Sequence, residues 1–353
     1  MIDLLRELVE IESPTYSPGV RAVAERVARE LERLDARVQV LEGDHVLAEL
    51  SGEGDPLLLL GHTDTVWPEG TLELMPFRIE DGCAYGPGAY DMKGCLVLML
   101  EAIRLARHRR ALRVFLTADE EMGSRTARPH LEQAAQGVAA AFVVEPPSGE
   151  GHLKTARKGL GRFHLSVMGR SAHAGTDRAV GASAIEELAH QVLALHALND
   201  EGRGLSVNVG VVRGGTTENV VAAEAEAHID VRVATADDQA RAERLLRGLE
   251  PIVPGTSLEL SGGWTRPPLE RSTGTAALFA KAREHGRELG LDLHETTSGG
   301  GSDGNLVGAL GVPVLDGLGA LGAGAHAPNE HVLIDALPLR AALLARLLRD
   351  PGL

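Results

Sequence analysis

In the opening MIDLLRELVEIES, Leu4, Leu5, Leu8 and Val9 recur at helical spacing and predict an amphipathic helix with an acidic rather than a basic start. Further along, short apolar runs of strand character alternate with helical patterns: Pro56 to Leu60, a helix from about Gly94 to Arg107, then Val114 to Ala118 and Phe142 to Val144. This alternation predicts an α/β fold with a mostly parallel sheet. The residues just past each run carry the functional signal. LLLLGHTD, VFLTADEE and AFVVEP all lead into His, Asp or Glu, and the later VPVLDGLG leads toward His326. Ligand sites of open parallel sheets form beyond the carboxyl ends of the strands, so these groups are expected to converge at one edge, as a metal site requires.

The texture changes between about Gly161 and Ser261. RFHLSVMG, a helix from about Ala182 to Leu198, LSVNVGVVRGG, the strictly alternating NVVAAEAEAHIDVRVA, a helix from Asp238 to Leu249 and TSLELSG read together as β-α-β-β-α-β. A small ferredoxin-like α+β domain inserted into the first is therefore expected over residues 161–262, with residues 1–160 and 263–353 forming the larger one. After the insertion come a helix from Thr273 to Gly286, the glycine run GGGSDG, another strand and a final helix from Pro338 to Leu348. The chain shows no repeat of fixed period.

Length agrees with two domains, since the 353 residues are more than twice the ~150 of one ordinary domain. Composition narrows the partners. A net charge of -15 repels phosphate backbones and anionic membranes, and 3% aromatic residues leave few stacking platforms for single-stranded nucleic acid. Neither nucleic acid nor membrane is expected as a partner. Every apolar stretch is interrupted or falls short of the ~20 residues that span a bilayer, and the amino terminus lacks the basic start of an export signal. With only Cys83 and Cys95, the chain has no disulfide framework, and a reducing cytoplasm is the expected location.

Taken singly, the candidate residues have ordinary readings. His62 and Asp64, two apart at a strand end, can project to one face as metal ligand and orienting partner, but such pairs are more often structural. Asp91 in YGPGAYDMKG is equally suited to capping a helix. The adjacent Glu120 and Glu121 can take different tasks, one as ligand and one as base, or form a solvated acidic turn. Glu145 closes an apolar strand, where a buried carboxylate wants a cation. His326 lies in a small-residue loop and by itself reads as exposed.

Together and in order, GHTDTV at 61 to 66, GPGAYDMKG at 86 to 94, ADEEMGS at 118 to 124, VEP at 144 to 146, SAHAG at 171 to 175, GGGSD at 299 to 303 and AHAPNE at 325 to 330 resemble the M20 family of co-catalytic zinc peptidases and deacylases. The resemblance runs over essentially the whole chain. It implies that His62, Glu145 and a bridging Asp91 hold one zinc, and that Asp91, Glu121 and His326 hold the other, with cobalt or manganese as substitutes. It implies that Asp64 braces His62 and that Glu120 is the general base. Five carboxylates in one pocket also demand cations to stay ionised together.

For the inserted domain the resemblance implies a lid that carries the homodimer contact. His173 would help hold the developing oxyanion, with an ordinary loop histidine as the alternative. Asn219 and Arg232 would bind the substrate carboxylate, assisted by backbone N–H groups of the glycine run at Gly300 and Gly301. A surface ion pair of Arg232 with Asp230 or Asp237 is the other reading. The spacing of HTDTVWPEGTLELMPFRIEDGCAYGPG looks most like the glutamate carboxypeptidase branch, so the expected reaction releases a C-terminal amino acid, glutamate first, from peptides or N-acyl conjugates. The alternative is an N-acyl-amino-acid deacylase of the acetylornithine or acyl-lysine type. The basic residues His152, Lys154, Arg157 and Lys158 are candidates to hold a second substrate carboxylate or, equally, to cap the hinge into the lid. Cys95 reads as a packed thiol.

Overall fold

The apolar run that leads into GHTD is the strand Glu53–His62, and it lies inside a six-stranded sheet. Across the sheet the order is Arg37–Val40, Val46–Leu50, Arg110–Thr117, Glu53–His62, Ala140–Val143, Val314–Leu315. The last four are mutually parallel, and Val46–Leu50 pairs antiparallel with both of its neighbours, so the sheet is mostly parallel with an antiparallel margin. Leu57, Leu58, Leu59 and Leu60 are all buried because helices cover both faces, which is why this strand reads as a continuous apolar run instead of an alternation. Truncating Leu59 to Ala would cost about 2–5 kcal/mol in such a core.

This computed structural model describes residues 1–106 and 109–353. The helix expected to reach Arg107 spans Gly94–Leu105, and Arg107 itself lies outside the described residues. That helix is apolar nearly all round and is buried against the final helix, Leu337–Arg349. A further helix beyond those expected, Pro18–Glu32, starts with Pro at its first turn and buries Val20, Val23, Ala24, Val27 and Leu31 at helical spacing. Both cysteines are free thiols. No helix among the described residues is long and apolar enough to cross a membrane.

The chain divides into two compact units, one of Met1–Ala156, Glu270–Ser298 and Ser302–Leu353, the other of Arg157–Leu269 with Gly299–Gly301. The expected boundaries at 160/161 and 262/263 fall inside the strands Gly159–Met168 and Ser257–Arg266, which pair from Met168↔Ser257 to Leu160↔Arg266. Gly159, Gly161, Gly262 and Gly263 are part of these strands. A Cβ on Gly161 would come within 2.7 Å of the Phe163 ring and 3.1 Å of Trp264, so glycine is needed there for close packing.

The second unit is an antiparallel sheet in the order Ser206–Gly214, Glu224–Val233, Gly159–Met168, Ser257–Arg266, packed on the helices Ala184–His196 and Ala236–Arg247. This is the β-α-β-β-α-β arrangement. Ala225, Ala227, Ile229, Val231 and Val233 face the helices, and the alternate residues face away. Ser183 and Thr235 accept the N–H groups of Glu186 and Asp238 and start the two helices. Inside the unit, fully buried Glu187 accepts the N–H groups of Ile252 and Val253, the Thr256 hydroxyl and the Gln191 amide, fixing the turn that leads into the last strand.

Candidate metal centre

Three of the parallel strands deliver the expected groups at their carboxyl ends. His62 is the last residue of its strand, Glu120 and Glu121 follow the strand Arg110–Thr117, and Glu145 follows Ala140–Val143. His62 Nε2 lies 3.1 Å from Asp91 Oδ1 and 3.5 Å from Glu145 Oε1. His326 Nε2 lies 3.4 Å from Asp91 Oδ2 and 3.4 Å from Glu121 Oε1. Asp91 therefore stands between two imidazoles and turns one carboxylate oxygen to each. Ligand atoms of His62, Asp91 and Glu121 lie within 4.8 Å of one another. Glu121 Oε1 is buried and makes no well-formed hydrogen bond, an expensive state for an anionic oxygen that a cation would relieve. The donor set and this orphaned oxygen fit divalent metal, with imidazole nitrogen and carboxylate oxygen of the kind zinc accepts.

The scaffolding around these ligands is specific. Asp91 sits in the irregular turn Ala89–Lys93, ahead of the helix Gly94–Leu105 whose N-cap is Lys93, so the capping alternative for Asp91 does not hold. Gly88, at φ 71°, opens the turn; a Cβ there would meet Thr65 Cγ2 at 2.5 Å. Glu330 accepts the backbone N–H groups of Gly88, Tyr90 and Asp91 and the indole N–H of Trp67, which fixes the whole turn to one carboxylate.

Asp64 stands against His62, as the brace reading expects, and also holds the glutamate turn. Its carboxylate accepts the N–H groups of Glu120 and Glu121, each at 3.2 Å, and the Thr15 hydroxyl at 2.7 Å. His62 Nδ1 is closer to the Asp64 carbonyl, at 3.0 Å, than to its carboxylate, at 3.4 Å. The contact of Nδ1 with the carbonyl leaves Nε2 directed at the carboxylate cluster. From the other side, buried Asp303 of the GGGSD motif accepts the hydroxyls of Thr117 and Ser124, which bracket the glutamate pair. Glu120 and Glu121 open the short 3-10 turn Glu120–Met122, and adjacent residues of such a turn point apart. Glu121 enters the cluster, while Glu120 is half-buried beside it.

Electrostatics follow from crowded carboxylates. Burial opposes the charged form of His62, but Asp64, Asp91 and Glu145 outweigh it and hold the imidazolium well above its usual range. Asp91 and Glu121 push His326 up to about 10. Burial raises Asp91 too, yet the two histidines more than reverse this and hold it below the usual carboxylate range. Glu121 is pushed up by burial. The cluster is thus built to receive positive charge, which protons supply when no metal does.

The residues assigned to substrate lie in the second unit. His173 is exposed, and its Nδ1 accepts the N–H groups of Gly175 and Thr176 at 3.1 Å each, so a proton is left to Nε2. It bridges Val220, next to exposed Asn219. Arg232 makes the alternative ion pair: Nε and Nη2 donate to the Asp230 carboxylate at 2.7 and 3.1 Å, and Nη1 donates to the Gly299 carbonyl at 3.0 Å. The carbonyls of Gly300 and Gly301 accept Nη1 of Arg157, which is buried. Lys154 is buried as well and donates to the Pro146 carbonyl at 2.7 Å. These two cations of the basic cluster are engaged with backbone carbonyls.

Sequence reasoning missed three supports. Glu330 closes the AHAPNE motif, and its acidic character four positions after His326 was the available signal. Asp303 closes the GGGSD motif, but its partners Thr117 and Ser124 are remote in sequence, and Thr15 gave no local signal.

Known proteins resemble this chain in sequence and fold. Residues 58–350 match the model of peptidase family M20/M25/M40. Carboxypeptidase G2 of Pseudomonas sp. (strain RS-16) is 30% identical over 370 residues, covering 100% of this chain and 89% of that protein. Succinyl-diaminopimelate desuccinylase of Halorhodospira halophila is 30% identical over 368 residues, covering 97% of this chain and 96% of that protein. The fold superposes with a TM-score of 0.71 at 18% identity on a dinuclear metal binding peptidase of the M20 family from Bacillus subtilis, covering 98% of this chain and 97% of that one. The likenesses run the length of the sequence, and the family model spans most of it: the chain belongs to peptidase family M20/M25/M40.

Proposed function

We propose that the chain is a two-metal amidohydrolase that releases a C-terminal amino acid, preferentially glutamate, from peptides or N-acyl conjugates. The observation that carries this reading is Asp91, with one oxygen 3.1 Å from His62 Nε2 and the other 3.4 Å from His326 Nε2. His62, Asp91 and Glu145 would hold one ion and Asp91, Glu121 and His326 the other, zinc by donor type, with cobalt or manganese able to substitute. Two such ions polarise an amide carbonyl and lower the pKa of a water.

The remaining work falls to the chain's own residues. Glu120, outside the ligand cluster, takes the proton from the water and delivers it to the departing amine nitrogen. Asp64 holds the Glu120–Glu121 turn in register for both tasks. His173 donates from Nε2 to the oxyanion, and Asn219, Arg232 and the glycine run at Gly300 and Gly301 receive the substrate carboxylate. For Arg232 this requires a carboxylate to displace Asp230 from its fork. The homodimer is assigned to the second unit, whose edge strand Ser206–Gly214 exposes Val211 and Val212. A cytoplasmic setting accords with two free thiols.

A deacylase is the second reading, favoured by the relative named a desuccinylase, which equals carboxypeptidase G2 in identity. The deciding assay is a panel of peptidyl and N-acyl amino acids with metal-loaded protein. Glutamate conjugates cleaved tenfold or more ahead of those ending in Leu, Ala or Lys support the carboxypeptidase reading. Acetylornithine, acyl-lysine or succinylated amines outrunning every glutamate substrate would transfer the assignment to the deacylases.

A further inference from the structure

The face of the second unit's sheet that points away from its helices carries another group of ligand-type side chains. His164, on the strand Gly159–Met168, stands directly opposite His228, on the strand Glu224–Val233, with ring centroids 4.8 Å apart. Glu226 lies two residues before His228 and so projects from the same face. Its Oε2 is 3.1 Å from His164 Nε2 and its Oε1 is 3.9 Å from His228 Nε2. One nitrogen or oxygen atom from each of the three lies within 4.8 Å of the others.

We propose that His164, Glu226 and His228 form an additional binding site for a divalent transition metal of the zinc, nickel or copper class, contained wholly within the second unit. Opposed residues of an antiparallel pair hold their Cβ atoms ~4.5–5.5 Å apart, so two histidines in this relation chelate one ion without backbone movement. Register is secured by the core. Phe163, Leu165, Ala227 and Ile229 are buried on the other face, and a one-residue slip would drive both imidazoles inward. Metal–nitrogen bonds of ~2.0–2.1 Å in a tetrahedral site separate ligand atoms by about 3.4 Å. The His164–Glu226 pair, at 3.1 Å, is close to that spacing, and His228 Nε2, at 3.9 Å from Glu226, has to move inward by about half an ångström.

The donor set selects the ion. Two imidazoles with one carboxylate suit zinc, nickel or copper and not magnesium or calcium, which prefer oxygen throughout. Three ligands leave one position for water. Ser166 Oγ, 3.4 Å from His164 Nδ1, helps set the ring's orientation. Arg213 Nη1 lies 3.4 Å from Glu226 Oε1 and competes with the ion for that oxygen. Its side chain is 72% exposed, so it can swing away, at some loss of metal affinity. An ion here would tie two neighbouring strands together and stabilise the sheet.

The test uses the full chain with its His62–His326 centre already loaded with zinc, titrated with further Zn2+ by calorimetry and equilibrium dialysis. One additional ion per chain is expected. His164→Ala and His228→Ala should each lower its affinity at least tenfold, with hydrolytic activity and circular dichroism unchanged. Arg213→Ala, which keeps every ligand and removes the competing cation, should bind zinc several-fold more tightly. Added zinc should raise the melting temperature of the parent chain and not of His228→Ala. Zinc uptake by His164→Ala and His228→Ala equal to the parent's, or no uptake beyond the loaded centre, would overturn the site.

Discussion

Glu330 Oε1 lies 2.9 Å from the backbone nitrogen of Asp91, a residue 239 positions earlier in the chain. The same carboxylate also takes Gly88, Tyr90 and Trp67, so a residue with no place in the carboxylate–imidazole cluster sets where Asp91 stands. Burial pushes the Glu330 carboxyl up, and the N–H groups around it oppose that shift by favouring its charged form. Glu330→Ala should therefore weaken metal retention by roughly 10- to 100-fold, the usual effect of removing a group that orients a ligand. Dialysis against graded chelator, followed by metal analysis, measures it; retention equal to the parent would refute the positioning role.

Glu120 and Glu121 should separate cleanly. Glu120→Gln keeps both metals and lowers turnover by about 10²- to 10⁴-fold, the range of a lost acid-base group. Glu121→Gln loses metal. If metal analysis of the two variants gave the opposite pattern, the roles would be exchanged.

Chelation should abolish activity, and zinc, cobalt or manganese should restore it. In the metal-free protein His326 is held up to about 10 by Asp91 and Glu121. A raised folded value means that its contribution to stability is full below about 6.5, the ordinary histidine value. That contribution fades as pH rises toward 10. Metal-free protein should thus lose stability across that window, by thermal melts at stepped pH, and the metal-loaded protein should not. Full hydrolytic activity in a sample shown to be metal-free would refute the two-metal reading.

Arg232 and Asp230 give opposed expectations. Arg232→Ala should raise KM for substrates with a free terminal carboxylate and leave amidated analogues unaffected. Asp230→Ala, which frees the guanidinium fork, should lower KM for the same acids. Equal cleavage of acid and amide by the parent protein would return Arg232 to a plain surface pair.

Glu187 anchors the second unit. Burial works against its charge, but the N–H groups of Val253 and Ile252 with Gln191 and Thr256 prevail and hold its carboxyl below the usual range. A lowered folded value gives stability that is present above about 4.3 and lost as pH falls through the folded value. Glu187→Ala should cost at least ~2 kcal/mol, since it strands buried donors. Chemical denaturation at neutral pH checks the cost, and an unchanged midpoint would contradict it.

The amino-acid order by itself determined the α/β class, the inserted β-α-β-β-α-β unit and the ligand candidates. Apolar periodicity is a local property, and a parallel strand buried on both faces announces itself as a run such as LLLL that ends where polar chemistry begins. Tertiary structure alone decided the rest. That Asp64 holds the glutamate turn with its carboxylate and His62 with its carbonyl, that Glu330 and Asp303 secure the ligand loops, and that Arg157 and Lys154 bond backbone carbonyls all depend on which buried N–H, O–H and C=O groups need partners. Those partners come from segments far apart in sequence, and they meet only after the sheet and helices have closed around them.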